Sequence, residues 1–167
     1  FNIPQLEIEG YEADDIIATY TKLAEKQKID SIIVSSDKDL MQLVTKEITM
    51  LDPMKNKKIG IDQVIEKFGL PPEKVVQIQA LTGDKVDNIP GAPGIGPKTA
   101  LQLIQEFGDV HRLIKNANQI PQEKRRNIIV DHEEDILVSL KLVKLKDDIK
   151  LPIDIKKIHT YSSINKN

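Results

Sequence analysis

Carboxylates recur in three short segments of the 167-residue sequence: Glu12-Ala13-Asp14-Asp15, Ser35-Ser36-Asp37-Lys38-Asp39 and Gly83-Asp84-Lys85-Val86-Asp87-Asn88. Each alone has a plain structural reading. Glu12, Asp14 and Asp15 at a helix start complement the macrodipole. Ser36 or Asp37 suits a helix N-cap. Asp84 and Asp87 are spaced to share a helical face, or to sit together in a turn. Read jointly, they ask for a cation, because acids gathered at one place repel one another unless positive charge offsets them. The chain has no Cys, and His111, His132 and His159 are scattered. A metal would therefore rest on carboxylate oxygens, which favours a hard ion such as Mg²⁺ or Mn²⁺. Two such ions roughly 4 Å apart are a standard means of cutting phosphodiesters, with the carboxylates acting as ligands.

A second constellation is Gly91-Ala92-Pro93-Gly94-Ile95-Gly96-Pro97-Lys98-Thr99. Pro97 separates Gly96 from Lys98, so this is not a Walker A loop, and no strand precedes it as a dinucleotide fingerprint requires. The remaining readings are a plain helix–helix turn or a hairpin whose N–H groups face a phosphate at a helix start. In the second reading Lys98 and Thr99 add contacts, Ile95 anchors the hairpin by burial, and the grip on a nucleic-acid backbone is independent of base sequence.

The elements that must position these groups change character along the chain. Ile3 to Gly10 reads as extended. Glu12 to Lys26 has a helical stripe of Ile16, Ile17, Tyr20, Leu23 and Ala24. Ile32-Ile33-Val34 reads as a strand buried on both faces, placing Asp37 and Asp39 just beyond its carboxyl end, where open α/β sheets take ligands. Asp37 to Val44 reads as a helix, Glu47 to Leu51 as a second strand, and Lys55 to Lys58 as a polar turn. Helices are then expected over 61–68, 73–81, 97–107, 122–130 and 133–144. The fold class is thus α/β in the first third and mostly helical after it. The tail beyond Leu151 reads as a strand remnant and linker.

Composition narrows the classes further. The hydrophobic fraction of 40% and charged fraction of 30% are those of an ordinary globular domain. No apolar run is long enough for a membrane span, and no signal peptide is visible. The net charge of −2 does not announce a nucleic-acid binder, although Lys55-Lys57-Lys58, Lys124-Arg125-Arg126 and Lys144-Lys146 form basic runs. An aromatic fraction of 4% argues against a base-stacking module.

The three acidic segments, extended to Gly10-Tyr11 at one end and Ile89-Pro90-Gly91 at the other, stand in order with Gly94-Ile95-Gly96-Pro97-Lys98-Thr99-Ala100. In this order and spacing the chain resembles the 5′-nuclease family, which includes the 5′–3′ exonuclease module of bacterial DNA polymerase I and the flap endonucleases. The resemblance runs from Phe1 to about Pro152. It implies a partial PIN-like parallel-sheet core over residues 1–54, a helix-hairpin-helix lobe over 55–150 and a linker or tail over 151–167. It further implies that Glu12, Asp14, Asp15, Asp37, Asp39, Asp84 and Asp87 are catalytic metal ligands for Mg²⁺ or Mn²⁺, two ions being expected. Gly91, Gly94, Ile95, Gly96, Lys98 and Thr99 would bind duplex DNA, with K⁺ at the hairpin. The implied activity is structure-specific hydrolysis of DNA 5′ ends and flaps, including RNA primer ends, by a monomeric bacterial cytoplasmic protein associated with the nucleoid and joined to a polymerase.

Departures from the family pattern carry expectations too. The family begins well upstream of Phe1, with a first strand bearing a metal-binding Asp, a second acid and a basic helical arch. Without them the sheet is expected to expose apolar edges, and the chain alone to be weakly stable and weakly active. Leu140 stands where the family often has Arg. The competing readings are a stand-alone 5′-nuclease and a non-catalytic DNA-binding fragment. Repulsive carboxylates facing a phosphate backbone speak against the latter.

Overall fold

The computed structural model describes residues 4–158. Helix α1, Ala13–Lys26, is followed by strand β1, Ser31–Val34, and strand β2, Ile48–Asp52, which pair in parallel with Ser31 opposite Ile48. Strand β3, Lys57–Ile59, turns back antiparallel on β2, giving the order β1-β2-β3. The rest is helical: α2, Ile61–Phe68; α3, Val75–Thr82; α4, Pro97–Phe107; α5, Val110–Lys115; α6, Glu123–Asp131; and α7, Glu133–Val143. This is the mixed α/β start and helical continuation expected from the sequence.

Two apolar clusters hold it together. One, around Ile33, Leu40, Met50, Val64 and Val75, lies under the sheet; the other, around Leu81, Ile95, Ile104, Leu113 and Ile136, joins the helices. Phe68 packs on both, so the sheet and the helical part share a side chain as well as a backbone.

Several local expectations need correction. The segment after β1 is not a helix over 37–44 but a short 3-10 segment, Asp39–Leu43. The Asp37 side chain accepts the Asp39 N–H at 2.9 Å, and the backbone turns extended at Val44 after a single 3-10 segment. The polar stretch at Lys55 to Lys58 is half strand: β3 takes Lys57 and Lys58 outward and buries only Ile59. Helix α5 arises from 108–121, where none was expected, with Asp109 capping the N–H of Arg112 at 2.8 Å. Strand β1 is not buried on both faces. Ile33 is 5% exposed, whereas Ile32 and Val34 are 65% and 62% exposed. Among the described residues no strand pairs with its free edge. The described part of the tail holds a 3-10 turn, Ile155–Lys157, in place of a strand, and Tyr20 Oη donates to the Ile153 carbonyl at 2.7 Å. Residues 159–167 lie outside the described ones, as do Phe1 to Ile3.

Candidate metal centre

The carboxyl end of β1 runs into Ser35-Ser36-Asp37-Lys38-Asp39, where the N–H of Asp37 is held by Ser35 Oγ at 3.0 Å. This fixes Asp37 and Asp39 on an open cleft that Asp84 and Asp87 also line. Asp14 enters from the first turn of α1 and feels Asp37, Asp39, Glu12 and Asp15 together. Burial, then this repulsion in that order, pushes its carboxyl up to about 6. Asp39 is likewise raised by burial and by Asp37, with a smaller contribution from Asp84. Asp14 of the first segment thus feels the second, and Asp39 of the second feels the third.

Asp84 and Asp87 reach this cleft on a bridged turn, which decides between the turn and the helical face left open by the sequence. Asp84 and Ile89 exchange backbone hydrogen bonds of 3.0 and 2.7 Å. Gly83 and Gly91 close the base of the turn. Both have positive φ, +65° and +60°, and a Cβ at Gly91 would stand 2.4 Å from the Gly83 nitrogen. Ser139 of α7, fully buried, accepts the Gly91 N–H at 2.9 Å and donates to the Asp135 carbonyl at 2.7 Å.

The acids do not all point alike. Asp14 faces Asp37 and Asp39, whereas Asp15 Oδ1 accepts the Lys146 N–H at 2.9 Å and ties α1 to the chain after α7. Glu12 is exposed at the N-cap position in extended conformation. Among the described residues no three of these carboxylates close into a coordination shell. The donor chemistry nonetheless fits a hard divalent cation: all oxygen, mutually repelling and solvent-reachable.

Two partners of the acids, and one cation beside them, were not legible as such. Lys38 Nζ meets Asp84 Oδ2 at 2.5 Å, and this bond holds the Asp84 carboxyl below the ordinary range. Gln79 of α3 donates its amide N–H to Asp39 Oδ1, and its Oε1 is buried without a partner. Lys67 borders the same cleft. Lys38 sits inside an acidic motif and could have been weighed as a counter-ion. Nothing local in the sequence signals Gln79 or Lys67.

The glycine loop follows. Ile95 is 4% exposed, the anchor its position suggested, and its N–H bonds to the Ala92 carbonyl at 3.0 Å. Gly94 has φ +83°. Gly96 is extended at the N-cap and Pro97 opens α4. Lys98 is exposed and Thr99 half-buried in the first turn, where N–H groups have no partner inside the helix.

Residues 1–69 match the family described as 5′-3′ exonuclease, N-terminal resolvase-like domain, and residues 70–166 the one described as 5′-3′ exonuclease, C-terminal SAM fold. A DNA polymerase I of Rhizobium leguminosarum is 55% identical over 93% of the chain and 15% of its own length. A 5′-3′ exonuclease of Aquifex aeolicus is 40% identical over 90% of the chain and 51% of its own length. The chain thus spans only part of the relatives it matches. Among solved structures, a zinc-bound T5 5′-exonuclease superposes with TM-score 0.80 at 28% identity, covering 86% of this chain and 53% of that one. A T5 flap endonuclease complex with DNA and metal ions superposes at TM-score 0.76, with the same identity and coverage.

Proposed function

The chain belongs to the 5′–3′ exonuclease family, and from that premise we propose that it is the nuclease portion of a bacterial DNA polymerase I, hydrolysing phosphodiester bonds at DNA 5′ ends and flaps. The observation that carries this reading is the gathering of Asp37, Asp39, Asp84 and Asp87 from two segments on one cleft, with Asp14 of the first segment repelled by Asp37 and Asp39. Such a gathering is costly without a divalent cation and useful with one.

In this reading Glu12, Asp14, Asp15, Asp37, Asp39, Asp84 and Asp87 would hold two Mg²⁺ or Mn²⁺ ions. The ions would lower the pKa of a bound water and offset charge at the scissile phosphate. Gln79 holds Asp39 in place, and Lys38 pairs with Asp84. Gly91, Gly94, Ile95, Gly96, Lys98 and Thr99 grip the downstream duplex backbone, with K⁺ at the hairpin. Residues 1–54 form the metal-binding core, 55–150 the DNA-binding lobe that also lends Asp84 and Asp87 to the metal site, and 151–167 a linker or tail. The substrates are flaps, nicks and RNA primer ends, met by a monomer at the nucleoid in the cytoplasm. The match to the Aquifex exonuclease favours a second reading, a 5′-nuclease without a polymerase.

The test is Mg²⁺-dependent release of product from a labelled 5′-flap DNA by the chain and by its Asp37→Ala form. Cleavage that the variant loses supports the reading, and equal cleavage by both contradicts it.

A further inference from the structure

We propose that Lys67 is a phosphate-contact residue on the rim of the acidic cleft, holding a backbone phosphodiester next to the one that the acids address. The proposal rests on the nuclease reading above. Lys67 lies in the last turn of α2, where a cation complements the helix dipole. The dipole accounts for a positive residue there but not for the course of its side chain. The ammonium is folded down to 3.6 Å from Met41 Sδ and 5.3 Å from the centroid of the Phe68 ring. Neither neighbour carries charge.

Among the described residues no carboxylate pairs with Lys67, although acids stand near. Asp52 is taken by Lys55 at 3.5 Å and Glu66 by Lys57 at 4.0 Å. Burial first, then Lys55 and Lys38, hold the Lys67 ammonium below its ordinary range, against smaller opposing contributions from Asp39 and Asp37. Lys67 borders two adjoining depressions at once. One is the cleft of Asp37, Asp39, Asp84 and Asp87; the other contains Ser36, Lys55 and Lys57. Both open beyond the carboxyl ends of β1 and β2, where this class of sheet takes its ligands.

The ligand that fits is a polyanion with evenly spaced charges. A phosphate among the acids needs cations, while its neighbour along the strand would meet a fixed ammonium whose stem is already packed. A sulfur and an aromatic face restrain Lys67 without neutralising it, so little freedom is lost on contact. The contact is to a phosphate oxygen and reads no base.

The experiment measures binding of a 5′-flap DNA by the chain in Ca²⁺ over a range of salt, for wild type, Lys67→Gln, Lys67→Arg and Lys98→Ala, with Mn²⁺ binding followed separately by electron paramagnetic resonance. Lys67→Gln is expected to weaken DNA binding and to reduce the slope of log K against log salt by about 1, as expected for one lost phosphate contact, with Mn²⁺ binding retained and Lys67→Arg restoring the slope. An unchanged slope in Lys67→Gln alongside a reduced one in Lys98→Ala would overturn the role of Lys67 and leave the nuclease reading standing. A wild-type chain that binds no flap DNA would overturn both.

Discussion

Gln79 on α3 and Asp39 after β1 are joined by a hydrogen bond from the glutamine amide to the carboxylate, across the seam between the sheet and the helical part. The orientation follows from charge: an ionised Asp39 takes the N–H, which leaves Gln79 Oε1 buried without a partner. A group that orients a metal-binding carboxylate this way typically matters about 10- to 100-fold for metal affinity. Gln79→Leu is therefore expected to raise the half-saturating Mg²⁺ for flap cleavage by about tenfold, with Lys98-dependent duplex binding unchanged. Titrating activity and DNA binding separately in that variant checks this, and an unaltered Mg²⁺ requirement would remove Gln79 from the site.

Asp14 makes stability depend on pH. Its carboxyl titrates at about 6 in the fold against 3.8 as an ordinary Asp. The folded state holds the proton longer than the unfolded state, so unfolding releases it. Below about 3.8 the favourable contribution is complete, and it is lost as pH rises to about 6. Without metal, Asp14→Asn should melt higher than wild type at pH 7.5 and should not at pH 3.5. Adding Mg²⁺ should raise the wild-type melting temperature more at pH 7.5 than at pH 5, because a cation and a proton compete for the same oxygens. Equal shifts at both pH values would separate Asp14 from the metal.

The base of the Asp84–Asp87 turn leaves no room for a side chain. Gly91→Ala combines φ +60° with a contact of 2.4 Å to the Gly83 nitrogen. A loss of about 2–4 kcal/mol is expected from urea unfolding, from backbone strain and overpacking together. Gly96→Ala is the control: it has extended backbone and nothing within 4 Å, and should change stability little. Equal effects at the two positions would mean that the Gly83–Gly91 closure does not hold the turn.

Ser139 supports the same closure from α7. Ser139→Ala leaves the Gly91 N–H buried without its 2.9 Å acceptor, and about 1–3 kcal/mol of stability should go with it. Hydrogen exchange at Gly91 should quicken more than at Ile104 on α4. Uniform quickening would indicate general loosening instead.

Periodicity made most helices legible, because α2, α4 and α7 each keep an apolar stripe against one of the two clusters, and α1 buries Ile16 and Ala24 of its own stripe. Where charge or size outweighed periodicity, sequence reading failed. The segment after β1 closed as a 3-10 turn, Asp39–Leu43, and Lys57-Lys58 hid an edge strand that buries only Ile59. Helix α5 was missed because six residues show too little period, although Asp109 carried a usable cap signal. The acids themselves stood out by spacing. Their partners did not: Gln79 is 40 residues from Asp39 and Lys38 is 46 from Asp84, so only the fold could reveal those pairs.

The central claim is that acids from three segments of the chain form one cation site. It is tested most directly by Mn²⁺ binding, followed by electron paramagnetic resonance, to wild type and to Asp14→Asn, Asp39→Asn and Asp84→Asn. The account predicts that wild type binds and that each variant, one from each segment, binds more weakly. Variants that bind Mn²⁺ as tightly as wild type would contradict it.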